Sequence, residues 1–326
     1  MCMALVYRAT VVQSQSLGLH GPPQTGNDTA VTGLLASIAR LHIVAIGALG
    51  TLTFGWALTG HYAPWLALLS ATDWFVVNLL NRVVDLVEDE HNHIAGADLV
   101  RRHRRRTVTV GVAVLLVSLL ASAIWWPDTL WARLPFHALG TLYNWRLLPF
   151  PSGRRRIKEL MLWKNVASAT GFLLTCFAMP LLVHPLHAGV SVATVVVTMA
   201  FFFFFELSYE VLYDLRDVDG DRLAGVKTWP VLFGVRGGSA IAVGQMLTAV
   251  GIVVGGAIAG VLPWHLTIMG MAPAMQLVAV WPRLPDRVTS SLCIGVTWLG
   301  VALLGAYHVW ELLGLPGSTG GWGISS

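Results

Sequence analysis

Long apolar runs make up most of this chain, and its polar positions fall largely between them. A helix that crosses a bilayer needs about 20 mostly apolar residues. Such runs occupy 35–58, 62–84, 107–126, 129–147, 160–183, 189–213, 237–259, 263–282 and 289–313. They predict an all-α, polytopic membrane protein: a bundle of about nine transmembrane helices around a central cavity. The fourth run is the most polar, interrupted by Arg133, His137 and Asn144. Ten-residue alternating segments, which a membrane barrel would need, do not recur. A polar stretch punctuated by Gly and Pro is expected to form a flexible cytoplasmic N-terminal tail over 1–32. The membrane domain is then 33–315, and 316–326 is a short Gly/Ser-rich tail.

Composition agrees with lipid as the main solvent. Hydrophobic residues make up 55% of the 326 and charged residues 12%, with a mean hydropathy of +0.67. A soluble domain carries about 25% charged residues. The three cysteines, Cys2, Cys176 and Cys293, have neither CxxC spacing nor companion histidines, which argues against a disulfide or zinc framework.

The 21 Lys and Arg residues are unevenly spread. Six lie in 82–106, six in 146–164, four in 216–236 and two in 283–287, with Arg8 and Arg40 near the start. Nine alternating helices put all of these on one face and leave only Arg133 for the other. The positive-inside rule makes that basic face cytoplasmic, with the N-terminus inside, as in a protein of the cell inner membrane. The charge of +4 is therefore a topology signal, and no nucleic-acid partner is expected.

Acidic residues number only 17, and eight of them crowd into Asn81–Glu90 and Tyr213–Arg222. Each segment holds two aspartates four apart, Asp85 with Asp89 and Asp217 with Asp221, which on a helix share one face. Asn81 extends the first row by a turn, and Asp214 extends the second. Like charges at that spacing repel, so the pattern makes sense around a cation. Carboxylate oxygens suit Mg2+, which commonly takes one or two carboxylates plus substrate phosphates. Two such rows facing each other at one membrane face could hold Mg2+ ions, and those ions a diphosphate. An EF-hand is excluded, because Arg222 stands where its glycine should be and Thr228 where its glutamate should be. Glu206 and Glu210 continue the second row inward, and ionisable residues within a span are functional candidates by default. Asp73 is a weaker case of the same kind.

Asn81-xxx-Asp85-xxx-Asp89 and Asp214-xx-Asp217-xxx-Asp221 resemble the NxxxDxxxD and DxxDxxxD motifs of the UbiA superfamily of intramembrane prenyltransferases, such as 4-hydroxybenzoate polyprenyltransferases. The run from Asp221-Arg222 through Gly225, Lys227-Thr228 and Pro230 is similar to that family's continuation of the second motif. The family's tyrosine–lysine pair of the fourth span is matched at Tyr143 but has Leu147 in place of lysine, with Arg146 and Lys158 as stand-ins. The resemblance implies transfer of a prenyl group from an isoprenyl diphosphate to an aromatic or other lipophilic acceptor within the bilayer. It implies Mg2+ on Asp85, Asp89, Asp217 and Asp221, with Asn81 and Asp214 as further ligands. Arg222, Lys227, Lys158 and Lys164 would be cationic donors, and Tyr143 and Tyr213 substrate contacts. Glu206 or Glu210 would act as base or orient the acceptor, while Trp74, Phe75, Tyr209 and Phe201 to Phe205 would wall the site. A UbiA-type terpene cyclase shares these motifs. A cation-coupled transporter is the rival from another class, but it predicts acids at mid-membrane and an internal repeat.

Overall fold

A computed structural model describes residues 39–86, 89, 96–151, 153–223, 225–286 and 288–319. The expected N-terminal tail with Cys2 and Arg8 lies outside the described residues, as do Glu88, Glu90 and Arg287. The helices are α1 Leu41–Thr59, α2 Pro64–Val84, α3 Ala97–Arg102, α4 Arg104–Trp125, α5 Leu130–Asn144, α6 Met161–Leu173, α7 Met179–Val183, α8 Val192–Arg216, α9 Val218–Leu223, α10 Trp229–Ile258, α11 Trp264–Thr267, α12 Met271–Val280 and α13 Ser290–Leu312. One small antiparallel hairpin, β1 Leu148–Phe150 with β2 Gly153–Arg155, joins α5 to α6.

Each of the nine predicted runs contains helix among the described residues, yet nine is not an exact count of spans. Among the described residues, six helices are long and apolar enough to cross a membrane: Leu41–Thr59, Arg104–Trp125, Trp163–Val183, Val192–Arg216, Trp229–Ile258 and Ser290–Leu312. The other three runs fall short for visible reasons. Helix α2 carries Asp73, Asn78, Asn81 and Arg82, and α5 has 15 residues with Pro135 inside it. The run 263–282 breaks into α11, a 3-10 turn and α12. The chain is an integral membrane protein, but its apolar lengths are less uniform than the sequence suggests.

Helix ends follow local chemistry. Pro64 begins α2, where a missing N–H costs nothing. Ser191 and Thr194 form a reciprocal capping box on α8. Gly60, at φ 76°, closes α1 in a left-handed conformation that suits glycine.

The core wraps around α8. Phe54, Phe177 and Phe202 cluster with ring centroids 4.5–5.3 Å apart, and Trp74 stacks on Phe172 at 4.0 Å. Between α6 and α7 the chain makes a π-turn over Leu174–Ala178, with Pro180 just beyond it unable to donate a backbone bond. The Thr175 carbonyl in this turn accepts from Thr51 at 3.2 Å, and the Thr175 hydroxyl accepts from Trp74 Nε1 at 3.1 Å. Gly47 on α1 makes this approach possible, since a Cβ there would collide with the Trp74 ring.

Sidedness leaves Arg133 alone on the opposite face, but the structure seats it inside the bundle. Its Nε meets Asp73 Oδ2 at 2.9 Å and its Nη2 meets Asp73 Oδ1 at 2.5 Å, with both side chains fully buried. His137 Nε2 lies 2.8 Å from the same carboxylate, and the Ser118 carbonyl accepts from Arg133 at 3.0 Å. Asp73 is thereby accounted for as a structural ion that ties α2 to α5.

Removing one member of such a buried pair costs roughly 3–5 kcal/mol, because the other charge is left uncompensated. Arg133→Met should therefore lower the unfolding temperature in detergent markedly, and Arg133→Met with Asp73→Leu should recover most of the loss. Thermal unfolding of the three proteins checks this, and a single variant as stable as the parent would contradict it.

Candidate active site

The two acidic segments are built alike. Each long helix ends at the first aspartate of its DxxxD pair: the Asp85 N–H donates to the Asn81 carbonyl at 2.9 Å, and the Asp217 N–H to the Tyr213 carbonyl at 3.1 Å. One further turn brings the Asp89 N–H onto the Asp85 carbonyl at 2.8 Å and the Asp221 N–H onto the Asp217 carbonyl at 2.9 Å. The spacing of four therefore does its work at a helix end, where carboxylates can leave the lipid core.

Cations meet both rows, mainly from the α5–α6 connection. Beyond the hairpin the chain turns through Ile157–Glu159 into α6. Lys158 Nζ donates to Asp85 Oδ2 at 2.7 Å, and Arg156 Nη1 to Asp85 Oδ1 at 3.0 Å. Six residues on, Lys164 Nζ donates to Asp214 Oδ1 at 2.6 Å and to Asp221 Oδ2 at 3.4 Å. Asn165 Nδ2 takes the other oxygen of Asp214 at 3.0 Å. Lys158 on the first row and Lys164 on the second thus come from one short stretch of chain, and Asp221 also feels the charge of Lys158. Asp89 is held by Arg82 at 2.9 Å, and Asp217 by its neighbour Arg216 at 2.7 Å. The Arg216 guanidinium covers the Tyr213 ring at 4.7 Å, while the Tyr213 hydroxyl bonds Thr297 at 3.2 Å. Arg40, Arg82 and Arg216 all act electrostatically on His42, so a group of arginines backs the site.

The remaining expected residues divide. Tyr143 lies within electrostatic reach of Asp85, Glu210, Asp214 and Lys164. Of its two stand-in partners, Lys158 joins the cluster, whereas Arg146 is exposed and pairs with Glu159 at 2.8 Å. Glu210 is half-buried on α8 and accepts from Ser168 at 2.7 Å, and Glu206 is buried in the same helix one turn deeper. Arg222 pairs with Asp219 at an exposed position, and the Lys227 side chain is exposed, so these two stand apart from the buried cluster. The sequence reading missed Arg156, Asn165, Ser168 and Arg82. The signal for Asn165 and Ser168 was their place beside Lys164 on one helical face.

The charges set the protonation of both rows. Burial pushes the Asp85 carboxyl up, but Lys158 and Arg156 outweigh it and hold Asp85 below its usual range. Burial pushes Asp221 up to about 6, with Asp214 and Asp217 reinforcing it and Lys164 opposing it. Among the described residues, no three acidic, histidine or cysteine side chains converge closely enough to hold a metal ion. Two observations nevertheless fit a divalent cation. Asn81 Oδ1 is a buried acceptor with no partner among the described residues, and the Lys164 ammonium sits between Asp214 and Asp221 as a positive charge bridging two carboxylates.

A model of the UbiA prenyltransferase family matches residues 74–294, well over half of the chain. The chain belongs to this family. Among solved UbiA homologues, one from Archaeoglobus fulgidus bound to GPP and Mg2+ aligns with a TM-score of 0.65 at 17% identity, covering 85% of this chain and 98% of that one. A UbiA homologue from Aeropyrum pernix K1 in its apo form aligns with a TM-score of 0.56 at 14% identity, covering 84% and 98%. At such identities the likeness establishes the UbiA fold. Digeranylgeranylglyceryl phosphate synthase of Haloquadratum walsbyi is 34% identical over 88 residues, 24% of this chain and 28% of the relative. The enzyme of the same name from Natronomonas pharaonis is 29% identical over 126 residues, 36% of this chain and 41% of the relative. The matched stretch thus spans well under half the length of either archaeal relative.

A cation taken up at Asp221 must displace the proton carried there below pH about 6. Apparent Mg2+ affinity should fall by about tenfold per pH unit below that point and level off above it. Mg2+ titrations at pH 5 and pH 7 by calorimetry check this, and equal affinities at both would reject it.

Proposed function

We propose that this chain transfers a prenyl group from an isoprenyl diphosphate to a lipophilic acceptor within the membrane, at a site on the cytoplasmic face. One observation carries the reading. Lys158 on the first DxxxD helix end and Lys164 on the second come from one short stretch of chain, and the helices that carry these groups also pack a buried aromatic core. A diphosphate is the kind of ligand that such paired acids and lysines recognise together, and a prenyl chain is the kind that the core accommodates.

In the reaction the allylic C1–O bond breaks and its electron pair leaves with the diphosphate. An electron pair of the acceptor then forms the new bond to C1, and a proton passes from the acceptor to a base. Mg2+ held by Asp85, Asp89, Asp217 and Asp221, with Asn81 and Asp214 as further ligands, would act as a Lewis acid on the departing diphosphate. Lys158, Arg156 and Lys164 are donors already fixed at the rows, and exchanging a carboxylate for a phosphate oxygen keeps each of them paired. Tyr143 and Tyr213 line the same region. Arg222 and Lys227, exposed on the segment after α9, would contribute only by closing over a bound diphosphate.

Trp74, Phe172, Phe202, Phe205 and Tyr209 are buried in the core on the helices that carry Asn81, Lys164 and Asp214, and ring faces favour a developing cation where water is excluded. Glu210, held by Ser168, is the better-placed base, and Glu206 lies deeper toward the prenyl chain. The names of the two archaeal relatives make a glyceryl phosphate lipid the first acceptor to test, followed by aromatic acids. Product formed from diphosphate alone would point to a cyclase instead.

Asp85→Asn and Asp217→Asn should each cut Mg2+-dependent turnover by roughly a hundred- to a thousand-fold with near-normal expression. Mass spectrometry of products from membranes given labelled diphosphates of several lengths and a panel of acceptors checks this. Unchanged turnover in either variant would remove the assignment of the acidic rows.

A further inference from the structure

The β1–β2 hairpin sits at the end of the bundle that carries the acids, because Arg156 and Lys158 just after it reach Asp85. It exposes cationic and apolar groups together. Arg146, Arg154 and Arg155 are exposed, and so are Trp145, Leu147 and Phe150, with the Arg155 guanidinium 5.4 Å over the Phe150 ring. Such mixing is at home in the headgroup layer, where an arginine can stretch its apolar stem and hold its charge in the wet zone.

Against the hairpin, α5 and α6 leave a groove of about 350 Å³ lined by Leu139, Leu148, Ile157, Leu160, Trp163 and Thr170. The only hydroxyl among these residues, on Thr170, is already bonded to the Val166 carbonyl at 2.7 Å, so the groove offers carbon to an occupant. It is separate from the acidic site. Helix α6 turns Lys164, Asn165 and Ser168 toward the carboxylates and Trp163, Val166 and Thr170 toward the groove. Trp163 is 60% exposed, as expected of a residue at an open lateral face.

We infer that the groove and hairpin bind an anionic phospholipid of the bilayer, with one acyl chain in the groove and the phosphate against Arg154 and Arg155. Charge complementarity selects this occupant. Arginine forks match phosphate oxygens, and basic groups at the membrane surface draw anionic lipids in preference to zwitterionic ones. The inference is independent of the prenyl-transfer reading, because none of the groove or hairpin residues it uses belongs to the acidic site.

Native mass spectrometry of the full chain, released from detergent with equal phosphatidylglycerol and phosphatidylcholine, tests it. The parent protein should retain phosphatidylglycerol in preference. Arg154→Gln with Arg155→Gln, both at exposed positions, should weaken that retention roughly thirty-fold, the effect of removing two interfacial arginines. Thr170→Phe should fill the groove and weaken phosphatidylglycerol while keeping the charges; Leu139→Trp fills it from α5 if the first variant does not fold. Equal retention of the two lipids, or a preference that survives the arginine changes, would overturn the headgroup assignment. A preference untouched by filling the groove would overturn the chain assignment. Displacement of phosphatidylglycerol by a neutral polyprenol would give the groove to an isoprenoid instead.

Discussion

An isolated charged carboxylate in a lipid-solvated bundle costs far more than a fold of ordinary stability can absorb, so a buried aspartate that keeps its charge needs a cation at contact distance. That constraint organises this molecule. Asp73 takes Arg133 and His137; Asp85 takes Lys158 and Arg156; Asp89 takes Arg82; Asp214 takes Lys164 and Asn165; Asp217 takes Arg216. The cations are therefore not scattered topology markers. Several are drawn inward by the acids, and the helices that carry them are fixed in rotation by those pairings.

Asp73 and Asp214 illustrate two outcomes of the same constraint. Asp73 is held by a bidentate arginine and a histidine, and serine oxygens take the remaining donors of that arginine, which makes the cluster self-contained. Asp214 shares one ammonium with Asp221, and Asn81 on the first row keeps a buried oxygen without a partner among the described residues. Saturation makes a strut, whereas shared or incomplete pairing makes a place where a competitor can enter.

The spans and both DxxxD rows were legible because each is a local pattern. Apolar runs follow the bilayer thickness, and a spacing of four is a helical property wherever it falls. The shortfall from nine uniform spans was legible only in part: the polar fourth run pointed to α5, but the break between α11 and α12 carries no charge to announce it. The identity of the cations was harder, because it depends on how the hairpin and Ile157–Glu159 fold back across α2. Lys158 and Lys164 were within the expected set, yet Arg156 was lost among neighbouring arginines. Arg222 and Lys227 stand apart from the buried cluster, since adjacency to an aspartate in sequence does not by itself bring a side chain to the same face in space. Sidedness assigns Arg133 to the opposite membrane face because a burial partner 60 residues away has no local signature.

Helix α6 separates two media with a single turn of backbone, ammonium on one side and hydrocarbon on the other. Its angular register is therefore set by the few residues that lead into it. At about 100° per residue, removing one residue between the hairpin and Met161 would swing Lys164 away from its carboxylates and bring a carbon side chain in their direction. The length of that connector is constrained as tightly as the identity of any acid, although its own residues are ordinary.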